Sequence, residues 1–197
     1  MTLHQDFYAR NACIVARDLL GTRLVHRVDG AILSGIIVET EAYTGLDDLA
    51  SHGRAGQTPR NLPMWEEPGY AYVYLVYGMY WLLNVVCEPI NQPAAVLIRA
   101  IEPETGLDIM QANRPKVRQP QWTNGPAKLT LALGIDSRHN RLNMTDPTSG
   151  LWLETSTPIP DEHVTTGPRI GLGKQVPEPW LSVHRRWWIV DNRYVSC

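Results

Sequence analysis

The segment Ile37-Val38-Glu39-Thr40-Glu41-Ala42-Tyr43 places two carboxylates and a phenol at alternate positions of an otherwise apolar stretch. Side chains alternate faces along a strand, so Glu39, Glu41 and Tyr43 share one side and Val38, Thr40 and Ala42 the other. Two carboxylates on such a face are costly unless they are solvated, paired or used. A carboxylate against apolar walls gains proton affinity and becomes a usable general base. The alternative is a solvated edge on which both are paired to arginines. Arg99, inside Val96-Leu97-Ile98-Arg99-Ala100-Ile101, is a guanidinium in a strand that reads as buried. A charge there needs a partner, and Glu39 or Glu41 is the natural one.

A second chemical feature is the tyrosine run Tyr70-Ala71-Tyr72-Val73-Tyr74-Leu75-Val76-Tyr77-Gly78-Met79-Tyr80-Trp81. Alternation puts Tyr70, Tyr72 and Tyr74 on one face, where they form either cross-strand packing or a platform that stacks on bases and attracts cationic rings. Tyr77 and Tyr80 bracket a turn, and a turn tip is a poor place to bury a ring. His52 belongs either to a long loop's surface or to a site. Asn84 is either a buried amide satisfied by backbone or a hydrogen-bonding group facing a pocket. The chain has no Gly-x-x-x-x-Gly-Lys-Ser/Thr phosphate loop, Gly-x-Ser-x-Gly elbow or His-Glu-x-x-His helix, so nucleotide hydrolysis, serine hydrolysis and zinc proteolysis lose their usual support.

The elements that would position these groups follow from periodicity and punctuation. A short helix is expected over Asn11–Leu20, ended by Gly21, and a strand over Thr22–Val28. Asp29-Gly30 signals a hairpin into a long strand, Ala31–Tyr43. Leu46–Gly69, with its glycines and prolines, reads as a long loop, which in a compact domain is usually functional. Tyr70–Tyr77 and Tyr80–Cys87 form a second hairpin around Gly78-Met79, and Ala95–Ile101 is a further strand. Pro103–Arg114 and Pro126–Leu133 are expected to be helical, with Asn113–Gln121 a basic surface loop. Leu151–Glu154, Ile170–Leu172 and Trp187–Val190 are strand fragments. The sum is a mixed α/β (α+β) single domain over residues 1–197, with a largely antiparallel sheet.

With 197 residues, 44% hydrophobic and 19% charged, the chain can bury a full core, which excludes intrinsic disorder. No stretch reaches the ~18–20 clean apolar residues of a membrane span, and Met1–Arg10 carries Asp6 and no apolar leader core. Cys13, Cys87 and Cys197 are an odd, widely spaced set with no ligand pattern, consistent with a reducing cytoplasm and no structural zinc. A net charge of -2 argues weakly against nucleic acid. Residues 169–193, however, hold Arg169, Lys174, Arg185, Arg186 and Arg193 against Glu178 and Asp191, so a basic face or an ordinary solvated surface both fit.

Taken together, Val38-Glu39-Thr40-Glu41-Ala42-Tyr43, Gln57-Thr58-Pro59-Arg60-Asn61, Tyr72-Val73-Tyr74 running into Tyr77-Gly78-Met79-Tyr80, Leu97-Ile98-Arg99-Ala100-Ile101-Glu102-Pro103, Asn124-Gly125-Pro126-Ala127-Lys128-Leu129 and Arg169-Ile170-Gly171-Leu172-Gly173 resemble, in order, the alkyladenine (3-methyladenine) DNA glycosylase family. The resemblance covers about Ala16 to Val190. It implies a base-excision repair enzyme that hydrolyses the N-glycosidic bond of alkylated or deaminated purines, and a curved sheet with a protruding hairpin that enters duplex DNA. It also implies roles. Glu41 would be the general base for water attacking the sugar C1′, and Arg99 and the Ile170 carbonyl would hold that water. Tyr43, His52 and Tyr74 would stack around the flipped base, Asn84 would crowd the guanine amine, and Tyr77 would wedge into the duplex. Arg60, Lys128, Arg185 and Arg186 would contact phosphates. No lysine lies near the Glu41 strand in sequence, which favours water over an amine nucleophile. No metal or cofactor is implied, the partner is double-stranded DNA with a damaged purine, and a monomer suffices. A non-catalytic binder of structured nucleic acid and a hydrolase of free nucleosides are the other function classes.

Overall fold

The computed structural model describes residues 1–196. The chain begins with two short helices, α1 (Gln5–Tyr8) and α2 (Ala12–Asp18). The Asn11 side chain caps α2 by accepting the Cys13 backbone N–H at 3.0 Å, the local reason the helix starts there. Strands β1 (Arg23–Val28) and β2 (Ala31–Tyr43) then form a hairpin with Val28 opposite Ala31. Its two turn residues, Asp29 and Gly30, both have positive φ, the geometry that matches strand twist.

β3 (Ala71–Val76), β4 (Tyr80–Cys87) and β5 (Ala94–Thr105) continue the sheet, followed by α3 (Leu107–Asn113), α4 (Pro120–Thr123) and α5 (Pro126–Leu133). β6 (Leu151–Glu154), β7 (Val164–Pro168) and β8 (His184–Ile189) complete it. The order is β3-β4-β5-β2-β1-β6, with β8 bridging β2 and β7, and each of these pairings is antiparallel. This is the expected α+β architecture with an open antiparallel sheet. The core lies under the helices, around Val15, Leu19, Ile37, Leu83, Ile98 and Leu129.

β2 is the strand on which the site depends. Its first half pairs with β1, its Glu39–Glu41 segment pairs with β8, and its other edge pairs with β5 from Ser34 to Tyr43. The β2–β5 ladder is irregular where the charges meet: Ile37 faces Ile101, Glu39 faces Ala100 and Thr40 faces Ile98. Val38 and Arg99 are therefore left without cross-strand partners, one bulged on each strand. Bulges of this kind re-aim side chains.

Three expectations need correction. Pro103–Thr105 belongs to β5 and not to a helix, because β2 is long enough to keep pairing as far as Ser34–Thr105; the turn into α3 comes at Gly106, at φ +75°. Residues 170–172 are bend rather than strand, and the strand lies just before them as β7. β7 exists through its pairing with β8, where a Cβ on Gly167 would come within 3.0 Å of the Trp188 ring. The Leu46–Gly69 loop contains two 3-10 turns, His52–Ala55 and Leu62–Trp65. Among the described residues no helix is long and apolar enough to cross a membrane. Cys13 and Cys87 are free thiols, and Cys197 lies outside the described residues.

A buried histidine pair ties β1 to the segment after α5. The Asp136 N–H donates to His139 Nδ1 at 3.0 Å, the two Nε2 atoms of His139 and His26 are 2.9 Å apart, and His26 Nδ1 is 2.8 Å from the Leu133 carbonyl. One chain of donors satisfies all three contacts: His139 Nε2–H donates to His26, and His26 Nδ1–H donates to Leu133. That arrangement requires neutral rings. Burial pushes His26 down to about 4, with the Leu133 carbonyl opposing. The unfolded chain takes up this proton below about pH 6.5 and the folded chain does not. The pair's contribution is therefore complete above that pH and is lost as pH falls toward 4. The expected loss is on the order of 2–3 kcal/mol. Urea unfolding at pH 7 and pH 5 should show the fall; burial holds His52 down to a similar value, so His26→Gln should remove about half of the dependence, and an equally steep dependence in the variant would remove the pair as its source.

Candidate active site

The two β2 carboxylates are fully buried, so they are not on a solvated edge. Glu41 Oε1 accepts the Ile170 backbone N–H at 2.6 Å and lies 3.1 Å from Arg99 Nη1. Its Oε2 accepts the Tyr43 hydroxyl at 2.8 Å. Burial raises the Glu41 pKa above the usual carboxylate range, and Arg99, the Ile170 N–H and the Tyr43 hydroxyl oppose that rise only in part. Tyr43 is pushed well above an ordinary phenol, by burial and by the Glu41 charge, so its O–H stays a donor to the carboxylate.

Glu39 accepts from a different set: Arg99 Nε at 2.9 Å, Arg186 Nη1 at 2.9 Å, and Ser196 through Oγ at 2.8 Å and N–H at 2.7 Å. Both candidate partners of Arg99 are thus real. Its guanidinium is divided between them, with Nη2 donating to Ser196 Oγ at 3.1 Å.

Tyr43, Arg99 and Ile170 line a cavity of about 740 Å³, and Glu41 sits just beneath them. Its walls include His52, Tyr74 and Asn84. The His52 and Tyr74 rings meet edge-on at 4.7 Å, and Tyr72 and Tyr74 are 5.1 Å apart. His52 Nδ1 is 2.9 Å from the Tyr72 hydroxyl. Burial and the neighbouring Arg60 and Arg54 guanidinia hold His52 down at about 4, so it is a neutral ring at physiological pH. Burial and the Glu41 charge push Tyr74 up to about 12. The Asn61 amide donates to the carbonyls of His52 and Gly56 at 2.8 and 2.9 Å, which pins the loop carrying His52. Asn84 does both things expected of it: Nδ2 donates to the Tyr72 carbonyl at 3.1 Å, and the residue faces the cavity.

Tyr77 lies at the rim, at the tip of the β3–β4 hairpin, and is 85% exposed. The tip closes through Met79 N–H to the Val76 carbonyl, with Tyr77 at φ +51° and Gly78 at φ +68°. A bulky residue in the left-handed region is uncommon, and such strain concentrates at functional positions. Leu75, Met79 and Tyr80 are also exposed here.

The phosphate candidates divide. Arg60 donates to the Leu75 carbonyl beside the hairpin at 3.1 Å, and Lys128 lines the cavity with Nζ 2.9 Å from Asn124 Oδ1. Arg185 and Arg186 instead turn inward. Arg185 bonds Asp48 Oδ2 at 3.0 Å and Thr44 Oγ1 at 2.5 Å, and Arg186 bonds Glu39. Three of the five cations of segment 169–193 thus pair with carboxylates from the first fifty residues, and Arg185 and Arg186, expected to contact phosphates, are internally paired in this structure. Lys128 is remote from Glu41 in sequence but shares its cavity.

Two buried groups with no role in the sequence reading stand behind the site. Asp48 pairs with Arg169 at 2.6 and 2.9 Å, both side chains wholly buried. Arg169 also bonds the Ala42 carbonyl at 3.0 Å and lies 4.7 Å from the Tyr43 ring centroid. This fixes the start of the Arg169–Gly173 bend that delivers the Ile170 N–H to Glu41. An aspartate in a loop and an arginine after a proline carry no local signal of pairing. Among the described residues no three or more His, Cys, Asp or Glu are grouped as for a metal ion.

The family model described as Methylpurine-DNA glycosylase matches residues 6–193. A Salinibacter ruber protein named "Putative 3-methyladenine DNA glycosylase" is 43% identical, covering 98% of this chain and 96% of its own. Proteins of the same name from Myxococcus xanthus (44% identical, 98% and 93% covered) and Carboxydothermus hydrogenoformans (42% identical, 100% and 99% covered) are similar over nearly their whole lengths.

Proposed function

The chain belongs to the methylpurine-DNA glycosylase family, and from that premise we propose that it is a base-excision repair DNA glycosylase that hydrolyses the N-glycosyl bond of damaged purines flipped out of duplex DNA. The observation that carries the proposal is Glu41: a buried carboxylate of raised proton affinity, directly under an aromatic-walled cavity and tied to three groups that line it.

A base inside a duplex cannot reach a cavity, so it must be extruded at a cost of a few kcal/mol. Tyr77, exposed at the hairpin tip, fills the vacated stack. Tyr43, His52 and Tyr74 hold the purine, and aromatic faces favour one made cationic by N3 or N7 alkylation. Asn84, held by the Tyr72 carbonyl, crowds the exocyclic amine of guanine. Water enters at the Ile170 side of Glu41, displacing the N–H contact, and the Ile170 carbonyl and Arg99 orient it. Glu41 takes a proton from this water as its oxygen bonds to C1′. The C1′–N bond breaks, and its electron pair leaves with the base. The carboxylate also stabilises the oxocarbenium-like transition state. Arg60 and Lys128 are the phosphate contacts of this reading, and one hairpin with one cavity lets a monomer act. The substrate class is 3-methyladenine, 7-methylguanine, hypoxanthine and ethenoadenine.

The test is base release from duplexes with a single hypoxanthine or 1,N6-ethenoadenine. Strand cleavage is expected only after alkali, with no borohydride-trapped adduct. Trapping that disappears in Lys128→Ala would move the nucleophile from water to the cavity lysine. Binding without release from these or methylated duplexes would leave a damage-binding module. Tyr77→Ala should slow duplex excision roughly 5- to 100-fold, the value of about 1–3 kcal/mol of stacking. Its melting temperature and its excision from single strands should not change. A uniform loss on both substrates would place Tyr77 in the pocket rather than in the duplex.

A further inference from the structure

The same residue type pairs with a buried carboxylate twice in this molecule, with opposite results. Arg169 offers two nitrogens to Asp48, at 2.6 and 2.9 Å. Burial alone would raise Asp48, but the Arg169 guanidinium, joined by the Thr44 and Ala50 N–H groups, outweighs it and holds the carboxyl low, with Arg185 on the same oxygen. Arg99 offers Glu41 a single nitrogen, Nη1, at 3.1 Å. Its Nε is held by Glu39 and its Nη2 by Ser196. Bidentate pairs are the strong form of this interaction, and a bidentate Arg99 would lower the proton affinity of Glu41 and make it a poorer base.

We propose that Glu39 is a positioning residue that holds Arg99 by its Nε edge, so that Glu41 receives one guanidinium nitrogen and keeps the proton affinity a general base needs. Glu39 can do this because it is itself anchored. Arg186 from β8 compensates its charge, and Ser196 clamps both its oxygens. The β2–β5 bulges permit the arrangement by bringing Arg99 between the two carboxylates. The charged and titratable groups around Glu41 are Arg99 from β5, Glu39 and Tyr43 on its own strand, and Arg186, which lies opposite it on β8; Tyr74 feels its charge from β3. Of these, Glu39 is the one that both repels a negative Glu41 and restrains its counterion. The inference rests on Glu41 acting as the base.

Glu39→Gln tests it, because the amide oxygen can still accept from Arg99 and Ser196 while the charge is gone. The readout is the pH dependence of single-turnover excision on a hypoxanthine duplex. With a like charge removed, the acid limb should move down by about 0.5–1 pH unit. The plateau rate should fall roughly 3- to 10-fold, as expected for a weaker base. A merely structural role would lower the plateau or the melting temperature and leave the limb in place. A limb that stays or moves up in a folded variant overturns the proposal. If Glu39→Gln fails to fold with Arg186 uncompensated, Ser196→Ala takes its place: losing the Oγ that holds Arg99 Nη2 and Glu39 frees the guanidinium toward Glu41 and should move the limb down, and a limb that stays or moves up there overturns the proposal. Glu41→Gln run alongside separates the two levels: activity surviving there would defeat Glu41 as the base, whereas an inactive Glu41→Gln beside an unshifted Glu39→Gln would defeat only the role of Glu39.

Discussion

Glu41→Gln should abolish base release while leaving damaged-duplex binding within a few-fold of the wild type. Glutamine keeps an oxygen for the Ile170 N–H, and Arg99 retains its bond to Glu39, so the fold has no reason to fail. What disappears is the group that takes the proton from water. General-base removal is worth about 10²–10⁴ in rate, and the loss should appear in single-turnover excision rather than in affinity. The pH profile supplies an independent check. Wild-type rate should rise with pH as Glu41 ionises, with its limb above the usual carboxylate range because burial raises that group. The variant should have no such limb. A Glu41→Gln enzyme within tenfold of wild type would show the carboxylate to be structural, a role its full set of donors also allows.

Asp48→Ala should produce the largest stability loss of any single carboxylate change. Asp48 is wholly buried, compensates Arg169 and Arg185, and accepts the Thr44 and Ala50 backbone N–H groups at 3.1 Å each. Alanine leaves the buried Arg169, the partly exposed Arg185 and two backbone amides without their shared acceptor. Breaking a buried ion pair from one side costs about 3–5 kcal/mol, and for a chain of this size that lowers the melting temperature by roughly 6–20 °C. Excision should fall as well, because Arg169 anchors the bend that places Ile170 over Glu41. Asp48→Asn, which keeps both oxygen and shape, should fall between alanine and wild type. A melting temperature within two degrees or so of wild type in Asp48→Ala would mean the arginines find water, contrary to their burial.

Much of this site could be read along the chain. Period-two alternation put Glu39, Glu41 and Tyr43 on one face. The tyrosine run named its own strand, and a tyrosine beside Gly78 announced an exposed hairpin tip. These are local properties: the spacing of side chains on a strand and the turn chemistry of glycine are written into adjacent residues. So were the limits of β4, α5 and β6, where apolar pattern and punctuation coincide. β7 was not legible, because Val164–Pro168 contains a glycine and a proline and becomes a strand only by pairing with β8.

The apportioning of charge was beyond the sequence altogether. Residues 169–193 fit a basic face or an ordinary solvated surface, yet Arg169, Arg185 and Arg186 answer carboxylates more than 100 positions away. The sequence by itself determined the antiparallel sheet, the tyrosine-rich hairpin with an exposed ring at its tip and the presence of two carboxylates beside one buried arginine. Only the tertiary structure decided which of them is locked and which is left proton-hungry. That choice depends on a bulge on each of two strands and on contacts 60, 129 and 157 residues apart. In a medium where an unpaired charge cannot persist, which guanidinium nitrogen faces which oxygen is set by the three-dimensional packing of those distant segments, and no local pattern encodes it.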